Sequence, residues 1–238
     1  MDPLTRISRA DADRVEVRGS DLSAELMGRL TFTEYFHLLL TGREATEDER
    51  FFLDLLLVAI AEHGLMPSNV AARMTLAADP SSLQGAVAAG ILGAGSVILG
   101  SAGECARLLN DARDRGVERV VREIHAAGGR VPGFGHPVHK PLDPRAERIF
   151  ELADERGVSG THVALARGLR EAVADVYGRP LTLNVSLPLA AVLLDLGYDP
   201  VVAKAVPILA RTASLLAHLA EEQERPIGFL LASRAADE

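Results

Sequence analysis

The chain has 238 residues, 48% of them apolar and 24% charged, and a net charge of −8, which allows one or two domains with a sizeable core and offers no broad basic face for nucleic acid. Trp is absent and aromatics make up 4%, so Leu, Ala and Val must fill a core of the kind that helices build against one another. A single cysteine, Cys105, excludes an internal disulfide and makes a reducing cytoplasm the expected compartment.

The first twenty residues are charged throughout and hold no apolar run, so no signal peptide is expected. No uninterrupted apolar stretch approaches the roughly 20 residues that cross a bilayer, so no membrane segment is expected. Residues 13–18, DRVEVR, alternate briefly and predict one short strand before Gly19. Helix dominates afterwards. Thr31 and Glu34 form a capping-box pattern that opens a helix through Leu40, with Gly42 placed to end it. Thr46 and Glu49 repeat the pattern ahead of FFLDLLLVAIAEHG, a largely apolar helix that stops at Gly64. Ser68 is read as the cap of a helix over 69–78, and Ser81 or Ser82 as the cap of the next, through about Gly93. Gly93, Gly95 and Gly100 mark close approaches or sharp turns. Further helices are expected over 104–115, 117–126, 144–155, 161–177, 185–196 and 200–222. Asp143 followed by Pro144 is a cap-plus-first-turn signal for the 144–155 helix. The expectation is therefore an all-α fold in a single domain, 1–238.

The longest stretch not expected to be helical is GGRVPGFGHPVHKPL, residues 128–142. Its glycines let backbone N–H groups approach a ligand. Lys140 can meet a phosphate, and Arg145 can grip a carboxylate in bidentate fashion. His136 titrates near neutral pH and suits proton transfer. The alternative is a surface loop with solvated cations. A metal site built from His136 and His139 is a weak signal, because no acidic or thiol ligand accompanies them, and no metal is expected.

Pro132-Gly133-Phe134-Gly135-His136, followed by Asp143-Pro144-Arg145, resembles the citrate synthase signature, in which PG[FY]GH precedes DPR at this spacing. The runs HGLMPS (63–68), with Ala71-Ala72-Arg73 and AVAAG (86–90), are similar to another block of that family. LTFTE through LLLTG (30–42), Leu183-Asn184-Val185 and Ala210-Arg211-Thr212 match its remaining blocks in order. Gly42 and His63 are only 21 positions apart; this shortening is similar to citryl-CoA lyases and to the lyase module of ATP-citrate lyases. The resemblance implies an all-helical large domain with the small domain much reduced. It implies a lyase that cleaves citryl-CoA, or a related 3-hydroxy-acyl-CoA, to acetyl-CoA and oxaloacetate.

The same resemblance assigns His63 to the thioester carbonyl and His136 to proton exchange with the oxygen of the C4 acid. It assigns Arg145 and Arg211 to substrate carboxylates, and Val131, Pro132, Gly133, Phe134, Gly135 and Lys140 to coenzyme A. No permanently bound cofactor is implied; the CoA thioester is substrate or product, with a di- or tricarboxylic acid as its companion. A homodimer is implied, since the family completes its site across a subunit interface, but the family's third arginine has no firm counterpart here, Arg234 being the nearest candidate. The family's catalytic Asp follows Asn-Val directly, whereas here Ser186 follows Asn184-Val185. A serine hydroxyl has no useful proton affinity near neutral pH, and Asp195, nine residues on and ~2.5 helical turns away, is not expected to replace it. A non-catalytic or weakly active CoA-binding protein on the same scaffold is therefore the alternative.

Overall fold

The computed structural model describes residues 5–136 and 139–236. The chain forms two compact units, Met1–Asp54 and Leu55–Glu238, with the division falling inside one helix. Helix dominates both, as expected.

The first unit opens with three short antiparallel strands, β1 (Ser8–Ala10), β2 (Val15–Val17) and β3 (Ser20–Asp21), in the order β1-β2-β3. The sequence predicts one strand here, over 13–18. The other two run for only three and two residues, too short to show a period. β1 reaches β2 through the turn at residues 11–14, and β3 depends on Arg18 and Gly19, both at positive φ (52° and 93°), which make the tight hairpin turn that matches strand twist. Asp21 then accepts from the amides of Ser23 and Ala24, ending the ribbon in a helical turn. Helix α1 (Phe32–Thr41) has the predicted Thr31/Glu34 capping box, and Gly42 ends it in the left-handed conformation. Val17, Leu26 and Leu38 are its buried core.

Helix α2 (Glu47–Ala61) is opened by reciprocal bonds between Thr46 and Glu49, at 2.8 and 3.2 Å. Arg43 grips the carboxylate of Glu49 with both terminal nitrogens. These bonds, Arg43 first, outweigh burial and hold that carboxyl down to about 2. A depressed carboxyl pKa stabilises the fold above the unfolded value, and that contribution is lost as pH falls through the folded value. Glu49→Gln is thus expected to cost about 2 kcal/mol at pH 7. In urea melts run from pH 7 to pH 3, the gap between variant and parent should narrow below about pH 4.5.

The second unit stacks the remaining helices: α3 (Pro67–Ala78), α4 (Leu83–Ala94), α5 (Ser101–Arg115), α6 (Val117–Ala126), α7 (Pro144–Glu155), α8 (Thr161–Tyr177), α9 (Ser186–Asp195), α10 (Pro200–Glu224) and α11 (Gly228–Ala236). Helix α9 is buried from Ser186 to Leu193 and is packed by α5, α7, α8 and α10. Gly90 lets α4 close on its neighbours: a Cβ there would meet a Leu215 methyl at 2.7 Å and Ala72 at 3.0 Å.

Three local expectations are corrected. Ser68 is not a cap but lies buried inside α3, because Pro67 takes the first helical position and Met66 precedes it. Helix α5 begins at Ser101, three residues early, directly after one wide turn over Gly95–Leu99. Helix α11 has no expected counterpart. Its first amides, Ile227 and Gly228, are capped at 2.9 and 2.7 Å by Glu222, which belongs to the preceding helix. Among the described residues α10 alone has the length and apolarity of a membrane span. It nevertheless carries buried Arg211, Ser214 and Glu222 and packs against α3, α4, α5 and α9, which is how a core helix behaves.

Candidate active site

The glycine-rich loop is stitched to the segment leading into α9. Gly135 N–H donates to Thr182 C=O at 2.7 Å, Asn184 N–H donates to Gly133 C=O at 2.9 Å, and the Asn184 side-chain amide donates to Gly135 C=O at 3.0 Å. Gly133 sits at φ 82°, where a Cβ would lie 2.7 Å from Leu187 and 3.0 Å from the Cys105 sulfur. Only glycine lets the loop lie this close to α5 and α9.

Asp143 fixes the other end of the loop. It is fully buried, caps α7, and accepts from the Arg145 amide (3.1 Å), Arg145 Nε (3.0 Å) and Nη2 (2.9 Å), and the Val185 amide (3.1 Å). Burial pushes its carboxyl up, but Arg145 and these amides more than offset that and hold it below the usual carboxylate range. The result is a guanidinium locked in place beside His136, with Arg145 Nη2 3.3 Å from Nε2 of that ring.

A cavity of about 590 Å³ lies above these groups. His63, His136, Arg145, Arg211, Ser186 and the whole of Val131–Gly135 line it, joined by Asn184, Ser101 and Arg130. Ten of the eleven site residues expected from the sequence thus converge. Lys140 does not line the cavity and is exposed, as is Arg234 on α11. Asp195 sits at the far end of α9, capping α8 through the amides of Gly160, His162 and Val163.

Among the described residues no Asp or Glu lines this cavity, while three arginines do. Arg211 is 3% exposed. One terminal nitrogen donates to Asn69 Oδ1 at 2.9 Å, but its Nε is buried without a partner. No ion pair to it exists among the described residues. The nearest negative charge, Glu62, is reached only through Ser214. Burial pulls the Arg211 pKa below its ordinary value, yet a guanidinium remains charged at any working pH. A buried cation without an ion pair beside an open cavity has the charge and the free donors to pair with an anion such as a carboxylate.

Two features were not legible in the sequence. Ser186 opens α9 with its hydroxyl 2.8 Å from that of Ser101, which opens α5; nothing in the sequence joins these residues, 85 positions apart. His139 turns back to His63, Nε2 to Nε2 at 3.3 Å, and its amide donates to His136 Nδ1 at 2.8 Å. One nitrogen from each of the three imidazoles falls within 4.8 Å of the others. The ligand type suits zinc or a similar cation. Against a metal centre stand the Arg145 guanidinium touching His136, the absence of any carboxylate in the lining, and ring nitrogens already engaged in hydrogen bonds. Burial, followed by the charges of His139 and Arg145 among others, pushes His136 below the ordinary imidazole range. Burial and then Arg145 do the same for His63.

A family model described as the C-terminal domain of citrate synthase matches residues 4–228. The chain belongs to the citrate synthase family. The solved citryl-CoA lyase of Hydrogenobacter thermophilus is 32% identical, with a TM-score of 0.85 over 93% of this chain and 87% of that one. An ATP citrate lyase from Methanothrix soehngenii, solved with citrate and coenzyme A, shares the fold at 21% identity, a TM-score of 0.83, and coverage of 94% of this chain and 39% of its own. Among curated relatives, the citrate synthase of Heyndrickxia coagulans is 27% identical over 236 residues, 93% of this chain and 60% of that protein. The chain spans 47–60% of the length of the first three such relatives.

Proposed function

We propose that this protein is a CoA-thioester carbon–carbon lyase that cleaves citryl-CoA, or a close 3-hydroxy-acyl-CoA, to acetyl-CoA and oxaloacetate. The observation that carries the reading is Arg211, buried, charged and without a counterion at a cavity free of carboxylates. Arg145, held by Asp143, supplies a second carboxylate site. The likeness to the citryl-CoA lyase over nearly its full length supports this chemistry over condensation by a longer enzyme.

In cleavage, the tertiary alcohol loses its proton to His136 as the bond between the carbinol carbon and the thioester-bearing methylene breaks. The bonding electrons pass into the thioester as an enolate. His63 stabilises the enolate oxygen as a hydrogen-bond donor, the kind of preplaced dipole that carries much of such catalysis. Two donors meet the His136 ring, the His139 amide at Nδ1 and the Arg145 guanidinium at Nε2, so one of them must yield to the ring's own proton; on Nε2 that proton displaces Arg145 and suits the keto oxygen of oxaloacetate. To accept the alcohol proton, His136 must be protonated on Nδ1 instead and release that amide. The enolate carbon then takes a proton from a water bound to the directly paired Ser186 and Ser101 hydroxyls, where the family's aspartate would stand, and the hydroxide left behind is neutralised by the proton that His136 took from the alcohol. Backbone groups of Val131–Gly135 receive the CoA, with Lys140 at hand outside the cavity for a phosphate. A homodimer belongs to the same reading.

The test is release of oxaloacetate from citryl-CoA by purified protein, beside calorimetric titration with CoA. Turnover that falls about 10²-fold in His136→Ala is the expected result. Tight CoA binding with no turnover would favour a second reading, a CoA-binding protein without lyase activity, which Ser186 specifically supports. Neither binding nor turnover would leave family membership alone standing.

A further inference from the structure

We propose that His139 is a positioning residue that sets the tautomer of His63. The purpose of this role rests on the lyase reading; its geometry does not. Two neutral ring nitrogens 3.3 Å apart, His63 Nε2 and His139 Nε2, attract only when one carries a proton and the other a lone pair. If His139 holds that proton, neutral His63 must carry its own on Nδ1. Nδ1 makes no bond to protein among the described residues, so it is the nitrogen left for a ligand in the cavity that His63 lines.

The chemistry chooses the direction. Negative charge collects on the thioester oxygen as the carbon–carbon bond breaks, and only an N–H lowers that barrier. The opposite tautomer would present a lone pair to the developing enolate and repel it. His139 is itself held for this task. In the structure its amide rests on His136 Nδ1 at 2.8 Å, a bond given up when His136 turns its lone pair to the substrate, and its ring lies against the His136 ring at 4.4 Å between centroids, tilted by 32°. The same residue therefore bridges the two histidines the reaction uses, one through its backbone and the other through its ring.

The measurement is long-range proton–nitrogen NMR on histidine-labelled protein, which reports the protonated nitrogen of each neutral imidazole. His63 should carry its proton on Nδ1 in the parent protein and shift towards Nε2 in His139→Ala. In His139→Gln a side-chain amide can donate from near the Nε2 position, and it should restore the parent tautomer. With citryl-CoA, His139→Ala should lower kcat about 10-fold with KM within about 2-fold, and His139→Gln should recover most of the loss. A parent protein with His63 protonated on Nε2, or a glutamine variant no better than alanine in the NMR measurement, overturns the assignment. A parent protein that leaves citryl-CoA intact would sink the lyase reading, and the NMR result would still decide the role of His139.

Discussion

Arg211→Met is expected to raise the melting temperature of the ligand-free protein while lowering kcat/KM for citryl-CoA by about 10³-fold. Both effects follow from one fact: the guanidinium is buried and faces no carboxylate. Leaving a buried charge without a partner costs more than filling the same space with an apolar side chain of similar length. Removing it should return about 1 kcal/mol, or ~2–4 °C for a chain of this size. Asn69 Oδ1 loses the Arg211 bond but still accepts from Ser68 Oγ at 2.8 Å, so the substitution strands no acceptor. When substrate arrives, the balance reverses. A paired charge-assisted bond to a carboxylate, made out of water, is among the strongest a protein forms, and loss of about 4 kcal/mol is the 10³-fold effect expected. Citrate should correspondingly raise the melting temperature of the parent and leave that of Arg211→Met unmoved. A variant that is both less stable and still responsive to citrate would show that Arg211 is a structural cation.

Much of the fold and site can be read from the chain because its signals are local. Thr31 and Glu34 cap α1 with their own side chains, and Asp143 caps the helix that begins one residue later. The PGFGH and DPR runs likewise lie within fifteen residues, so the residues they place together are close in sequence. What escaped depends on distance. Glu222 caps α11 from the end of another helix, a bond that no window over α11 contains. His139 meets His63 across 76 positions, and its value to the site lies in that approach rather than in any motif. The isolation of Arg211 is the furthest from view. A sequence shows that an arginine sits among apolar residues, but that its Nε finds no partner is a property of everything that folds around it.

Ser186→Asp is expected to raise kcat for citryl-CoA cleavage by about 10³-fold, the scale on which a well-placed acid or base acts. The position is already prepared for a carboxylate. It is the first residue of α9, where the unsatisfied amides of the helix favour a negative charge. Ser101 stands 2.8 Å from the present hydroxyl and can donate to the new oxygen. The arginines that line the cavity supply the positive surroundings that keep a buried carboxylate ionised. Neutralising one positive charge in the lining weakens carboxylate binding somewhat, so KM should rise while kcat climbs. The same reasoning works in reverse for condensation of acetyl-CoA with oxaloacetate, because a proton added to the methyl carbon in one direction is removed from it in the other. Cleavage and condensation should therefore gain together and by similar factors. Gain in one direction alone would mean that the aspartate acts by changing affinity, and gain in neither would mean that Ser186 does not stand where the proton moves.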